Sequence, residues 1–131
     1  MSELSSPFAE FGGEPAVTQL VARFYALMAE REPALARLHR CEPDGRITAE
    51  SQERFRLFLI GWLGGPQTYM ERHGHPRLRM RHGKVPVDVA MRDAWLRCMA
   101  AALEEGNYPR AASGYILQRL TEVADFLRNQ G

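Results

Sequence analysis

Apolar residues recur along this chain at the three-and-four spacing of helix faces, in blocks separated by proline, glycine and polar runs. Val17, Leu20, Val21, Phe24 and Met28 share one face. Pro15 to about Glu30 therefore reads as an amphipathic helix, with Pro15 in its first turn and Tyr25 on the edge of the buried stripe. Pro33 opens a short helix through PALARLH, with His39 at its end, and RCEPDGR then breaks the pattern. Thr48 suits the N-cap of a helix whose Ser51, Phe55, Phe58, Leu59 and Trp62 face one way, stopped by Gly64, Gly65 and Pro66. After a short helical or extended piece over 67–72, GHPRLRMRHGK predicts a turn feeding a short helix that ends near His82. Asp88 caps a longer helix in which Met91, Trp95, Cys98, Met99 and Ala102 share a face. Ser113 is expected to cap the last helix, through Ile116, Leu117, Leu120, Val123, Ala124 and Leu127. No stretch alternates over strand length, so the fold class is all-α.

A length of 131 residues with 45% apolar and 25% charged residues suits one domain with a single core, residues 1–131. Residues 1–12, rich in serine and glycine, are expected to form a loose N-terminal extension. No apolar run has the length of a membrane span, and the start MSELSSPFAE carries acids where a secretory signal carries bases, so a soluble, cytoplasmic protein is expected. Cys41 and Cys98 stand far apart in no metal or redox spacing and read as free thiols.

A net charge of +1 gives no global field to recruit nucleic acid or an anionic membrane. The local anomaly is Arg72 to Lys84, RHGHPRLRMRHGK, with five permanent cations, three of the four histidines and no acid. Its arginines suit a solvated face, a phosphate-backbone contact or clamps for a carboxylate-bearing cofactor. His73 and His75, beside Gly74 and Pro76, read as a surface turn. His82 follows Leu78 by four and faces the core from a short helix end, where flanking arginines suppress its protonation; a neutral imidazole can ligate iron, or simply serve as a satisfied polar group. Tyr25 and Trp95 each put one polar handle on an apolar face and need an acceptor, structural or bound. Paired carboxylates, a phosphate loop after a strand and a nucleophile elbow are absent from the sequence.

The run Arg54 to His82, RFRLFLIGWLGGPQTYMERHGHPRLRMRH, followed by RDAWLRCM, resembles the second group of truncated haemoglobins. The pieces that carry the resemblance stand in order: FY late in the first long helix, GGP before the loop, GHPRLRMRH, and a tryptophan thirteen residues after His82. The resemblance spans roughly Phe11 to Leu103, and the last helix fits by pattern. It implies a two-over-two helical sandwich enclosing haem b, held non-covalently because no CxxCH motif is present. His82 then matches the iron ligand. Tyr25 matches the distal tyrosine, Trp95 the group's characteristic tryptophan, and His39 a distal position reached by one extra residue in PALAR. Ser51, Phe55 and Phe58 line the distal side, and Phe55 departs from the family's usual residue there, making that wall apolar. Arg54 and Arg81 are the candidates for the haem propionates.

The function so implied is binding of dioxygen, carbon monoxide, nitric oxide or peroxide, with Tyr25 and Trp95 donating to the ligand. Such retention suits redox chemistry or sensing better than bulk storage or transport, with nitric oxide dioxygenase or peroxidase-like turnover if a reductase returns electrons. The chain is expected as a monomer or homodimer. The rival reading is a helical nucleic-acid-binding module using Arg72 to Lys84 as a phosphate patch, marked by steep salt dependence and indifference to haemin.

Overall fold

The computed structural model describes residues 6–75 and 88–127, and the chain there is helical, with α1 Pro7–Phe11, α2 Gly13–Arg31, α3 Pro33–Ala36, α4 Ala49–Trp62, α5 Thr68–His73, α6 Val89–Glu105 and α7 Arg110–Leu127. Among the described residues the sole β pairing is an isolated bridge between Cys41 and Ile47. The long helices follow the periodicity of the sequence. The buried stripe of α2 is Val17, Leu20, Val21, Phe24, Tyr25, Leu27 and Met28, single residues or adjacent pairs that return every three or four positions. Thr48 and Asp88 cap α4 and α6 as expected: the Thr48 hydroxyl accepts from the Ser51 N–H at 3.2 Å, and the Asp88 carboxylate from the Met91 N–H at 2.8 Å.

Three expectations need correction. Residues 7–11 are not part of a loose extension: Ser6 caps α1, the Phe8 N–H donates to the Leu63 carbonyl at 3.0 Å, and Phe11 is 1% exposed in the core. A single apolar anchor of that size outweighs the polar composition around it. Gly12, at φ 125°, turns the chain from α1 into α2 where an added Cβ would meet the Ala16 side chain at 2.8 Å, so the turn requires glycine. The helix from Pro33 is shorter than PALARLH suggests, because after Ala36 the N–H groups of Leu38 and His39 reach back three residues, to Leu35 and Ala36, and tighten the chain out of α geometry. Ser113 does not cap the last helix, which starts at Arg110; its N–H already bonds the Pro109 carbonyl at 3.0 Å.

The packing falls into two layers. α2 lies against α4 in one and against α6 across the interface, while α6 packs on α7 to complete the second layer. Phe24, Leu27, Met28, Leu59, Met99 and Ile116 fill the space between them with essentially no exposure. No polar or charged residue is buried among the described residues. α4 and α7 do not pack closely on each other, and the gap between them positions the site.

Candidate functional site

Tyr25, His39, Ser51, Arg54, Phe55, Phe58 and Trp95 all line one cavity of about 350 Å³, whose far wall is the C-terminal half of α7. These seven residues come from α2, the turn after α3, α4 and α6, so the fold assembles what the chain scatters. His82 and Arg81 lie outside the described residues, as does most of the Arg72 to Lys84 segment. His73 and His75 are exposed, in keeping with a surface turn.

Phe24, fully buried, organises the polar end of the cavity. Its ring centroid lies 4.9 Å from that of Tyr25, 5.7 Å from Phe55 and 5.0 Å from Trp95, the last edge-on. Phe55 meets Tyr25 at 5.8 Å and Trp95 at 6.1 Å, both edge-on, so one phenylalanine spans the two donors on the cavity side. The Tyr25 ring is 6% exposed, and burial pushes its pKa well above the ordinary 10.0, which keeps the phenol neutral and a donor across the whole physiological range. Among the described residues neither the Tyr25 hydroxyl nor the Trp95 indole N–H has a hydrogen-bond partner. His39 stands edge-on to Tyr25 at 5.7 Å, and its Nδ1 lies 3.1 Å from the Leu35 carbonyl oxygen, a bond that requires the proton on Nδ1.

Sequence reasoning missed several lining residues. Tyr69 from α5 packs edge-on against Phe58 at 5.9 Å. Arg92 also lines the cavity, held by Asp125 of α7 at 2.6 Å and Asp93 at 3.2 Å, whereas Arg54 in the same lining has no acid partner among the described residues. Leu120, Val123, Ala124 and Leu127 form the α7 wall. Their signal was present: the apolar stripe of α7 is longer than its packing uses, since of its C-terminal half only Leu120 is buried. A larger cleft of about 630 Å³, between α2, the 42–47 loop and α4, holds none of the candidate residues, and its Arg56 is already bonded to Glu53 and Glu14.

An apolar cavity with a few convergent polar groups is the usual form of a cofactor pocket. The residues present fit a flat, largely apolar group with acidic edges: aromatic and aliphatic walls, the Arg54 guanidinium without an acid partner among the described residues, and the Tyr25 and Trp95 donors without a hydrogen-bond partner among them. Among the described residues no group of three or more histidine, cysteine or carboxylate side chains could hold a metal ion, and His39 is the one histidine among the described residues that lines the cavity.

The bacterial-like globin family matches residues 6–129. A group 2 truncated haemoglobin of Bacillus subtilis is 36% identical over 118 residues, 90% of this chain and 85% of its own length. The group II 2-on-2 haemoglobin of Agrobacterium tumefaciens superposes with a TM-score of 0.86 at 35% identity, covering 99% of this chain and 98% of that one. A truncated haemoglobin of Bacillus subtilis described as oxygen-avid superposes with a TM-score of 0.84 at 33% identity, covering 95% and 100%. Two layers of helices around an apolar pocket, the matched length and these identities together mean that the chain belongs to the bacterial-like globin family as a two-on-two truncated haemoglobin of group II, a family whose members carry haem and bind diatomic gases.

Proposed function

We propose that this globin holds haem b non-covalently in the cavity between α4 and α7, with His82 as the iron ligand and Tyr25 and Trp95 as hydrogen-bond donors to a diatomic gas. The observation that supports this reading is the Tyr25 phenol, buried, neutral and without a partner among the described residues, lining the same cavity as the Trp95 indole. The residue lines a largely apolar cavity and no protein acceptor among the described residues takes its proton, so the phenol is placed to donate to an acceptor that arrives with the ligand.

Haem supplies an iron that binds diatomic gases and exchanges electrons. The protein does the rest. Tyr25 and Trp95 donate to a ligand that gathers negative charge and so lengthen its stay. Phe24, Phe55 and Phe58 keep water from that end, which strengthens both bonds. Arg54, with Arg81 as the second candidate, receives the propionates, and His39 offers a further polar group beside Tyr25. Strong retention suits redox or sensing work better than bulk storage, and the oxygen avidity of the Bacillus subtilis relative agrees with it. Oxidation of nitric oxide to nitrate consumes one dioxygen and one electron per turn, so turnover needs a reductase; reduction of hydrogen peroxide to water takes two electrons and two protons per turn, from a reductase or a reducing substrate.

Haemin titration tests the reading. The wild-type chain is expected to develop a strong Soret band, lost or markedly shifted in His82→Ala, and an unchanged spectrum in that variant overturns the assignment of His82. Many cycles of nitric oxide consumption with a reductase mark an enzyme, and a single stoichiometric oxidation marks a carrier or sensor.

A further inference from the structure

The ring contacts around the cavity form one connected set that reaches the surface at α5. Trp95 and Tyr25 both meet Phe55, Phe55 stacks on Phe58 at 6.3 Å, Phe58 meets Tyr69 edge-on at 5.9 Å, and Tyr69 meets His73 at 5.0 Å. Each of these rings is buried or half-buried except that of His73, which is exposed. Among the described residues Tyr69 is therefore the one ring that both lines the cavity and touches an exposed ring. The pair belongs to a single short helix, in which positions 69 and 73 stand one turn apart.

Two tyrosines of the cavity have an imidazole beside them, and the pairs differ. His39, beside Tyr25, is half-buried, with its Nδ1 3.1 Å from the Leu35 carbonyl oxygen. His73, beside Tyr69, is open to water, so a proton that it takes up exchanges freely with solvent. We propose that Tyr69 is where oxidising equivalents leave the cavity, its phenol giving an electron inward and its proton to His73, and that a small reducing phenol in solution restores it. This step rests on the proposed reading, haem in the cavity, with hydrogen peroxide as the oxidant.

Reduction of one hydrogen peroxide to two waters consumes two electrons and two protons. Tyr69 supplies the electrons one at a time, each time becoming a neutral phenoxyl radical as His73 takes its proton. A phenol in solution then returns one electron to Tyr69, His73 returns the proton, and the phenol's own proton goes to solvent, from which peroxide draws its two. The sum is one peroxide and two phenols giving two waters and two phenoxyl radicals. A base beside the donor makes such a step easier, because a phenol that loses an electron must also lose its proton. Met70, 39% exposed and three residues before His73, offers the incoming ring an apolar contact that carries sulfur.

The test uses the haem-loaded full chain, with every rate taken per haem bound as read from the Soret band. Hydrogen peroxide is added with a nitroso spin trap, and peptide mapping by mass spectrometry locates the adduct. The expected adduct is on Tyr69 and is lost in Tyr69→Phe, which keeps a ring against Phe58 and His73. Oxidation of guaiacol at saturating peroxide is expected to fall at least about tenfold in Tyr69→Phe. His73→Phe keeps a ring beside Tyr69 but removes the base, and is expected to slow guaiacol oxidation by about tenfold as well. Collidine, a base whose flanking methyl groups keep its nitrogen off iron, is expected to restore the rate in His73→Phe and not in Tyr69→Phe; a merely structural pair gives no such rescue. A wild-type chain that takes up no haem overturns the proposed function and this exit with it. With haem bound, the exit alone is overturned by no reaction with peroxide, by adducts on other residues only, by guaiacol oxidation at the wild-type rate in Tyr69→Phe, or by a His73→Phe variant that is not slowed or that collidine leaves slow.

Discussion

Replacing Tyr25 with phenylalanine removes one oxygen atom from the cavity and leaves the ring in place against Phe24, Phe55 and His39. The two consequences have opposite signs. A neutral hydrogen bond contributes about 0.5–1.5 kcal/mol net, so losing the donor is expected to speed dioxygen release roughly twofold to just over tenfold. The same hydroxyl belongs to a residue 6% exposed overall and has no hydrogen-bond partner among the described residues, so its removal breaks no protein hydrogen bond there in the haem-free fold. Its removal is expected to leave the stability of the apoprotein unchanged or to raise it by up to about 1 kcal/mol. Stopped-flow displacement of dioxygen by carbon monoxide reads the first quantity, and urea unfolding of the apoprotein reads the second. A purely structural tyrosine behaves differently: its loss lowers apoprotein stability and leaves the release rate alone. That pattern refutes the assignment of Tyr25 as a ligand donor.

The remaining expectations concern stability. Because burial raises the Tyr25 pKa, the native state keeps a proton that the unfolded chain sheds above pH 10.0, so stability falls as pH rises past that value by about 1.4 kcal/mol per pH unit; the urea midpoints of wild type and Tyr25→Phe at pH 8 and about 10.5 isolate this slope, which the variant lacks. Phe11→Ala is expected to cost about 3–5 kcal/mol in urea unfolding, and a cost under about 1 kcal/mol means that α1 is not part of the core. Phe24→Ala is expected to cost a similar amount and also to speed dioxygen release, since both donors lean on that ring; release at the wild-type rate in a folded variant shows that they hold position without it.

The helices were legible in the sequence because they rest on local chemistry, whereas the residues that line the cavity came from the resemblance to the second group of truncated haemoglobins and not from periodicity. Periodicity marked α2, α4, α6 and α7, and side chains one turn apart marked the N-caps at Thr48 and Asp88. What failed was anything decided by contacts between distant segments. The place of α1 depends on Phe11 and on Phe8 meeting the 63–65 turn, where an added Cβ on Gly65 would come within 2.9 Å of the Phe8 ring; a composition of serine and glycine carries no trace of either. Phe24 looked like one core residue among several on its stripe, and only the crossing of α2, α4 and α6 turns it into the support beneath both donors. Arg92 offered no signal at all, since its partner Asp125 lies 33 residues away on another helix.

The arrangement divides the molecule into a part that positions and a part that receives. Tyr25 and Trp95 project from α2 and α6, which pack on each other along their length and are tied outside the core by Arg23 to Glu105 at 2.7 Å. Exposed pairs of that kind add little energy, so the rigidity of the donors comes from the buried rings between the helices. The receiving walls, α4 and the C-terminal half of α7, keep their apolar side chains half-covered because neither closes on the other. On the proposed function a flat apolar cofactor supplies the missing contact, and to the extent that it binds the folded chain in preference to the unfolded one it stabilises the fold by mass action. That proposal therefore expects the Tyr25 and Trp95 geometry to exist before the cofactor arrives, and the α4 and α7 walls to complete their packing with it.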